Sequence, residues 1–324
     1  MGISKSLGIA LGFWLGMHGG LAGAEEPFPA HPIHVVVPNE PGGTTDVLIR
    51  ALVPSMAKTL GQSIVVENRA GASATIGSSF VARSAPDGYT LLAGSSAISI
   101  NSYVMHDLPF DTKTDLEAVS RIALTPYFLI VNAGVKANSV AELVALAKAK
   151  PGSLTYASSG TGTSPHLTGA RFAAAAGIDL LHVPYKGTGP AMNDLLSGRV
   201  DMMFVGLPST IGQIQAGRLR ALAVASDSRF ETVPDVPTMK EAGLGNFSAT
   251  SWFGILAPKG TPDAIKTKLA QAISVAIQER DVKATLTKLG AVPLSETPAQ
   301  AQEFFQSDLV FWESTVAQMK DQLK

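Results

Sequence analysis

Two loops rich in glycine and hydroxyl side chains carry the residues best suited to binding chemistry. The first reads P-N-E-P-G-G-T-T-D (38–46) and the second reads S-S-G-T-G-T-S-P (158–165). Each follows a short apolar segment and precedes apolar residues at helical spacing, which indicates a strand, a turn and a helix. A helix start offers unpaired N–H groups and partial positive charge, so each loop suits a carboxylate. An ordinary turn remains the alternative.

Other kinds of chemistry find little support in the residue types. The chain has no cysteine, which excludes disulfides, thiol catalysis and cysteine-bound metals. Its six histidines are scattered, so we expect no metal site and no cofactor. A Ser-Pro-His triplet at 164–166 raises the alternative of an exported hydrolase. However, no G-x-S-x-G motif is present, and adjacent residues entering a helix do not set a serine against its base.

Composition indicates a folded protein with an ordinary core. The 324 residues are 46% hydrophobic and 16% charged, which suits two domains and argues against disorder. The formal net charge is −1. Because a nucleic-acid partner requires a basic face, we expect none.

The first 24 residues have the pattern of a secretory signal peptide. Lys5 is followed by an apolar segment at 7–15 and by Ala22-Gly23-Ala24, a small-residue cleavage site. We therefore expect cleavage after Ala24 and an exported protein, located in the periplasm if the source is Gram-negative. No later segment reaches 18 uninterrupted apolar residues, so we expect no transmembrane helix.

Strand and helix patterns alternate along the rest of the chain, which predicts a mostly parallel, doubly wound α/β sheet. Ligands bind such sheets at the carboxyl ends of strands, where both loops lie. Ser95 and Ser96 stand at the end of a third predicted strand. Their hydroxyls are candidate donors to a carboxylate, with an ordinary role in a turn as the alternative. Two extended apolar segments, 124–131 and 250–257, bracket the middle of the chain, and two helices are predicted after them, at 262–278 and 298–323.

The two extended segments predict a chain that crosses twice between two lobes. Lobe I would contain residues 27–125 and 250–324, and lobe II residues 126–249. A cleft between them, with helix starts facing it from both sides, suits a small dianion. Four to six buried charge-assisted hydrogen bonds of about 1.5–3 kcal/mol each, less the cost of ordering, are compatible with roughly micromolar binding.

Several motifs, in order along the mature chain, resemble the substrate-binding proteins of the tripartite tricarboxylate transporter system, the Bug or TctC-like family. They are V-V-V-P-N-E-P-G-G-T-T-D (35–46), V-V-E-N-R-A-G-A (65–72), A-P-D-G-Y-T-L-L (85–92), Y-A-S-S-G-T-G-T-S-P-H-L (156–167), H-V-P-Y-K-G (182–187), L-R-A-L-A-V (219–224), P-D-V-P-T (234–238) and W-F-G-I-L-A-P-K-G-T-P (252–262).

The resemblance implies a two-lobed periplasmic-binding-protein fold of type II, the Venus-flytrap fold, in a monomeric protein. Such a protein closes on a small organic mono- or dicarboxylate and delivers it to the membrane permease subunits of the transporter. A sensor kinase that reads the closed form is the alternative partner. The implied binding residues are Pro41, Gly42, Gly43, Thr44 and Thr45 at one end of the ligand, Ser159, Gly160, Thr163, Ser164 and His166 at the other, and Ser96 and Ala97 at a strand end.

Lys186 and Val205 complete the predicted site. Lys186 is a candidate anion contact because its loop opens a helix, with a solvated charge as the alternative. Two departures from the family pattern stand out: Asn39-Glu40 before Pro41, and Val205-Gly206 where many members have Asp-Asn. Without that aspartate the site favours a ligand that carries no positive charge, such as an aromatic or alkyl carboxylate. Asp46 is expected to cap its helix or to act in its first turn rather than face the anion.

Overall fold

The structure is a computed structural model that describes Met1 and residues 27–318, except for His106, Lys186, Pro208 and Ser209. The predicted signal peptide and the candidate contact Lys186 lie outside these residues. None of the described helices is long and apolar enough to cross a membrane.

The first third of the chain alternates strands and helices. Its elements are β1 (Ile33–Val37), α1 (Thr44–Leu60), β2 (Ile64–Asn68), α2 (Thr75–Ala82), β3 (Thr90–Ser95), α3 (Ser96–Val104) and α4 (Thr112–Asp115). The predicted end of α1 at Gly61 is confirmed: Gly61 has φ +72° and donates its N–H to the Ala57 carbonyl. Helix α3 was not predicted, because its hydroxyl-rich segment carries only two fully buried apolar residues, Ile98 and Ile100.

The middle of the chain begins with the long strand β4 (Leu116–Asn132). It continues with α5 (Val140–Ala149), β5 (Thr155–Ser158), α6 (Ser164–Ala176), β6 (Leu181–Pro184), α7 (Thr188–Ser197), β7 (Met202–Gly206), α8 (Ile211–Gln215) and β8 (Leu219–Val224). The predicted core strand Met202–Phe204 is confirmed, since these three side chains are fully buried.

The last part contains β9 (Thr250–Pro258), α9 (Asp263–Gln278), α10 (Arg280–Lys288), β10 (Val292–Pro293) and α11 (Pro298–Gln318). The prediction of two helices here is wrong, because α10 adds a third within the described residues. Its apolar stripe consists mainly of Val282 and Leu286, which are buried against the core but too few to indicate a helix by periodicity.

The strands form a curled sheet in the order β2-β1-β3-β9-β4-β7-β5-β6, with β8 and β10 paired to β4. The outer pairs β1–β2, β1–β3, β5–β6 and β5–β7 are parallel. The expectation of a mostly parallel sheet fails at the centre, where β4 and β9 run antiparallel to their neighbours. Strand β4 leads the chain from the first half of the sheet into the second, and β9 leads it back, so these two paired strands run in opposite directions.

Strands β4 and β9 connect the two halves of the sheet. They pair with each other from Leu116 and Pro258 to Pro126 and Thr250, and beyond Pro126 strand β4 pairs with β7 and β8 instead. The predicted lobe boundaries at 125/126 and 249/250 stay a prediction. Helix α6 also contacts α3 and α11 through a buried apolar cluster, which joins segments assigned to different lobes: Ile100, Leu167, Ala170 and Trp312.

Candidate ligand-binding cleft

Four helices of the described chain begin at one cavity of about 420 Å³. These are α1, α3, α6 and α7, which have 17, 9, 13 and 10 residues. Their first residues line the cavity: Thr44, Thr45, Ser96, Ala97, Ser164, Pro165 and Thr188. The first N–H groups of a helix have no intrahelical acceptor, and the helix dipole makes that end partly positive. The cavity is therefore surrounded by features that attract an anion.

The first loop is held in shape by Asp46, in the first turn of α1. One carboxylate oxygen accepts the N–H of Gly42 (2.9 Å), and the other accepts Nε of Arg50 (2.9 Å) and Nδ2 of Asn68 (3.0 Å). Burial alone would raise the pKa of Asp46, but these hydrogen bonds outweigh it and lower the pKa. The expected first-turn role of Asp46 is thus confirmed. Gly42 directs its N–H to Asp46, whereas Gly43, Thr44 and Thr45 line the cavity.

In the second loop, before α6, some polar groups are also hydrogen-bonded to each other or to the first turn of the helix. The N–H of Gly160 donates to the Ser158 hydroxyl (3.1 Å), and that of Gly162 donates to Nδ1 of His166 (3.0 Å). The Thr163 hydroxyl donates to the Gly160 carbonyl (2.6 Å). Ser159, Gly162, Thr163 and Ser164 line the cavity, while Gly160 and His166 do not.

His166 lies behind the loop, stacked on His182 with 3.9 Å between ring centroids. Tyr156 stacks on His182 in turn (4.8 Å), and Nε2 of His182 is 2.7 Å from the Ser158 hydroxyl. Burial lowers the pKa of His166, and burial together with the neighbouring His166 lowers the pKa of His182 to about 4. The two rings are therefore neutral near pH 7 and support the loop from behind.

The two central strands complete the cavity where they cross between the halves of the sheet. Alternate residues point toward it: Thr125 and Tyr127 from β4, and Ser251 and Phe253 from β9. The hydroxyls of Ser96 and Ser251 are hydrogen-bonded to each other (2.8 Å). Burial raises the pKa of Tyr127, so its phenol is neutral. Sequence reasoning recognised both extended segments but missed these side chains, which the period of two along each strand would have revealed.

The described lining carries no charged side chain. Glu40, the unusual acid of the first loop, is exposed and does not line the cavity, whereas Asn39 does. The hydroxyl of Thr125 is buried and has no hydrogen-bond partner among the described residues, so it is available to a ligand. No three metal-ligating side chains meet anywhere in the described chain. Polar but uncharged donors and apolar wall residues therefore define the chemistry of the cavity.

Most of the predicted site residues come together here. Those that line the cavity are Gly43, Thr44, Thr45, Ser96, Ala97, Ser159, Thr163, Ser164 and Val205. Pro41, Gly42, Gly160 and His166 lie outside the lining. Of these, Gly42, Gly160 and His166 form hydrogen bonds that hold the two loops in shape. Besides the strand residues, sequence reasoning missed lining residues that include Ser73, Ala74, Ile100, Asn101 and Thr188. Ile100 and Asn101 lie on the unpredicted helix α3, and Ser73 and Ala74 lie in a turn with positive φ.

Comparison with known proteins identifies the kind of protein that carries this cleft. The profile of the tripartite tricarboxylate transporter family receptor, TctC, matches residues 48–320. BugT of Bordetella pertussis is 38% identical over 301 residues, 92% of each chain.

Two solved structures from Rhodopseudomonas palustris resemble the chain throughout. MatC with bound malate is 33% identical with a TM-score of 0.78, covering 89% of this chain and 100% of MatC. A second protein, solved with adipate, is 34% identical with a TM-score of 0.81, covering 90% of this chain and 97% of that one. These likenesses confirm the α/β binding-protein fold. The chain belongs to the TctC family of tripartite tricarboxylate transporter receptors.

Proposed function

We propose that the mature chain is a periplasmic solute-binding protein that holds one small organic mono- or dicarboxylate in the cleft and delivers it to permease subunits of a tripartite tricarboxylate transporter. One observation carries the proposal: four helix N-termini meet at a cavity whose described lining has no charged side chain. Partial positive charge without a counter-anion favours carboxylates. The ligands of MatC and of the adipate-bound protein are dicarboxylates, which is consistent with this class.

The apolar residues in the cavity wall restrict the class of ligand further. Ile100, Tyr127, Val205 and Phe253 give the cavity apolar surface between the helix starts. An ammonium group placed there would lose its hydration without gaining an anionic partner, at a cost of several kcal/mol. We infer a ligand that has an alkyl or aromatic body and lacks a positive charge.

Binding measurements with matched acids test the inferred class of ligand directly. Residues 25–324 are titrated by calorimetry and thermal shift with glutarate against L-glutamate, adipate, benzoate and terephthalate. A ligand specific for the folded state stabilises it by about 2.7 kcal/mol at 100 Kd. We expect one or more acids to raise the Tm and glutamate to bind at least tenfold more weakly than glutarate. Tighter binding of glutamate than of glutarate would refute the inference that the ligand lacks a positive charge. If no acid changes the Tm of the folded protein or gives a calorimetric signal, carboxylate binding is refuted.

The variant Val205→Asp provides the complementary test. A carboxylate at this position, 4% exposed in the wall, should repel an anionic ligand and lower its affinity at least 100-fold. The matched control is Val275→Asp on α9, whose side chain is 47% exposed and lies away from the cleft lining. If Val205→Asp binds the acid as tightly as Val275→Asp does, the acid does not occupy this cleft.

Delivery to a permease is tested by uptake of the labelled acid in cells with and without the gene. Loss of uptake on deletion, restored by the wild-type chain and not by Val205→Asp, is the expected result. Unchanged uptake together with loss of a transcriptional response to the acid would instead assign the protein to a sensor kinase.

A further inference from the structure

A second cavity, of about 200 Å³, lies across β9 from the cleft and shares the lining residue Ser164 with it. Side chains of a strand alternate between its two faces. Ser251 and Phe253 face the cleft, whereas Thr250 and Trp252 face the second cavity, which is enclosed by α6 and α11. It therefore touches segments assigned to both lobes, and the proposed function makes no use of it.

Unlike the cleft, this cavity contains opposite charges that are not paired with each other. Asp308 of α11 accepts a hydrogen bond from Nε1 of Trp252 (2.7 Å). Burial raises the pKa of Asp308 despite this hydrogen bond and the charge of Arg121, which act in the opposite direction, so a cation in the cavity would stabilise the carboxylate further. Arg171 of α6 donates to the Ser248 carbonyl (3.3 Å), a single described hydrogen bond for a group with five N–H donors. The lining as a whole has no net charge.

Aromatic rings supply the remaining walls. Trp252, Phe304, Phe311 and Trp312 line the cavity, and the Arg171 guanidinium lies 5.2 Å from the Phe311 ring centroid. Trp312 is 4% exposed, and its Nε1–H has no hydrogen-bond partner among the described residues although it faces Asp308. The Asp308 carboxylate is thus the acceptor that this N–H faces. The surroundings of the N–H therefore depend on what lies beside Asp308.

We propose that this cavity binds a small zwitterion, such as an α-amino acid or a betaine. Its carboxylate contacts the guanidinium of Arg171. Its ammonium lies beside the carboxylate of Asp308 and against the aromatic rings, which attract cations through their faces. Arginine with a carboxylate forms strong charge-assisted hydrogen bonds, so the two ends of the ligand find complementary partners. The proposal is independent of the acid in the cleft.

Tryptophan fluorescence reports on this cavity, and the variants below separate its response from one that arises in the cleft. The chain has three tryptophans, at 14, 252 and 312, so a mature chain beginning at residue 25 retains only the two that line the cavity. Residues 25–324 are titrated with L-proline and glycine betaine, and with cyclopentanecarboxylate and pyrrolidine, which each keep one charged end of proline. We expect a saturable change in emission with a zwitterion, and an at least tenfold weaker response to either single-charge compound.

Variants of the charged residues test whether the fluorescence change arises from binding in this cavity. Asp308→Asn and Arg171→Gln each should weaken zwitterion binding at least tenfold, whereas the matched control Asp281→Asn, at an exposed site on α10, should leave it unchanged. Equal binding in Asp308→Asn, Arg171→Gln and the wild type would place the zwitterion elsewhere and refute the proposal. Absence of saturable binding to either zwitterion, by fluorescence and calorimetry, would refute it as well.

A measurement on the wild-type chain covers the case in which these variants fail to fold. The mature chain should give two indole N–H signals in a ¹⁵N-correlated NMR spectrum, assigned with Trp312→Phe. Bound zwitterion should move the Trp312 signal, because its ammonium lies beside the Asp308 carboxylate that this N–H faces. A Trp312 signal unmoved at saturating zwitterion would overturn the proposed contact.

Discussion

Gly162 is expected to set how closely the second loop approaches α3. It has φ +77°, and a Cβ added to it would overlap Cγ1 of Val104, at the end of α3. We predict that Gly162→Ala weakens ligand binding. The left-handed backbone costs an alanine roughly 1–2 kcal/mol, and overpacking against Val104 adds about 1–3 kcal/mol.

The backbone strain and the overlap affect different properties of the protein. Backbone strain is present whether or not the loop contacts α3, so it lowers stability more than affinity. The overlap arises only when the loop and α3 are in contact, as they are around the cleft described above. An overlap of about 1–3 kcal/mol corresponds to an affinity roughly 5- to 150-fold lower.

A double-mutant cycle separates these contributions. Calorimetry with the acid identified in the matched panel is carried out on Gly162→Ala, Val104→Ala and the double variant. Val104→Ala removes the overlapping methyl groups, so the double variant should recover most of the lost affinity. The control Gly217→Ala carries a similar strain, with φ +68°, but its Cβ meets nothing within 4 Å. The reasoning is refuted if Gly162→Ala binds like Gly217→Ala, or if Val104→Ala restores nothing.

Further predictions concern the supports and the charge of the cleft. Because the pKa of His182 falls to about 4 in the folded state, the unfolded chain binds more protons below pH 6.5. Stability should therefore drop by about 2 kcal/mol between pH 6.5 and 4, allowing for partial exposure of the ring. Urea unfolding should show a flatter profile for His182→Gln but not for the exposed His34→Gln; identical profiles would contradict this assignment. Asp46→Asn should cost about 1–3 kcal/mol of unfolding free energy and weaken ligand binding, since the loop loses its ionised acceptor; unchanged calorimetry would remove Asp46 from the support of the site. Affinity for a dianion should change less than about threefold between roughly 20 and 500 mM NaCl, because the described lining has no charged side chain; a steep decrease would favour a cationic contact such as the predicted Lys186.

Much of the architecture could be predicted because it depends on neighbours in the chain. Apolar periodicity located α1, α5 and α9, and glycine identified the end of α1. The two glycine- and hydroxyl-rich loops were recognisable as helix starts for the same reason. Periodicity failed where few apolar residues face the core, as in α10, and where hydroxyl residues dominate, as in α3.

The distribution of hydrogen bonds within the loops could not be predicted. Gly42 and Gly43 look equivalent in the sequence, yet the N–H of Gly42 is taken by Asp46 while Gly43 lines the cavity. His166 follows the second loop directly, but its ring stacks on His182, which is 16 residues away in sequence and comes from the neighbouring strand β6. Which partner each N–H group or ring contacts depends on residues that only the tertiary fold brings together.

The sequence by itself determined which segments can start helices and expose backbone donors, since these properties arise from residue type and spacing within a few residues. Tertiary structure decided that three of those helix starts meet the start of the unpredicted helix α3 at one cavity, and that Tyr127 and Phe253 line the same cavity. It also decided that Arg171 and Asp308, which are far apart in the chain, line a second cavity without pairing. The reason is physical: cavities and their charge balance arise from long-range packing of β4, β9, α6 and α11, which local patterns do not encode.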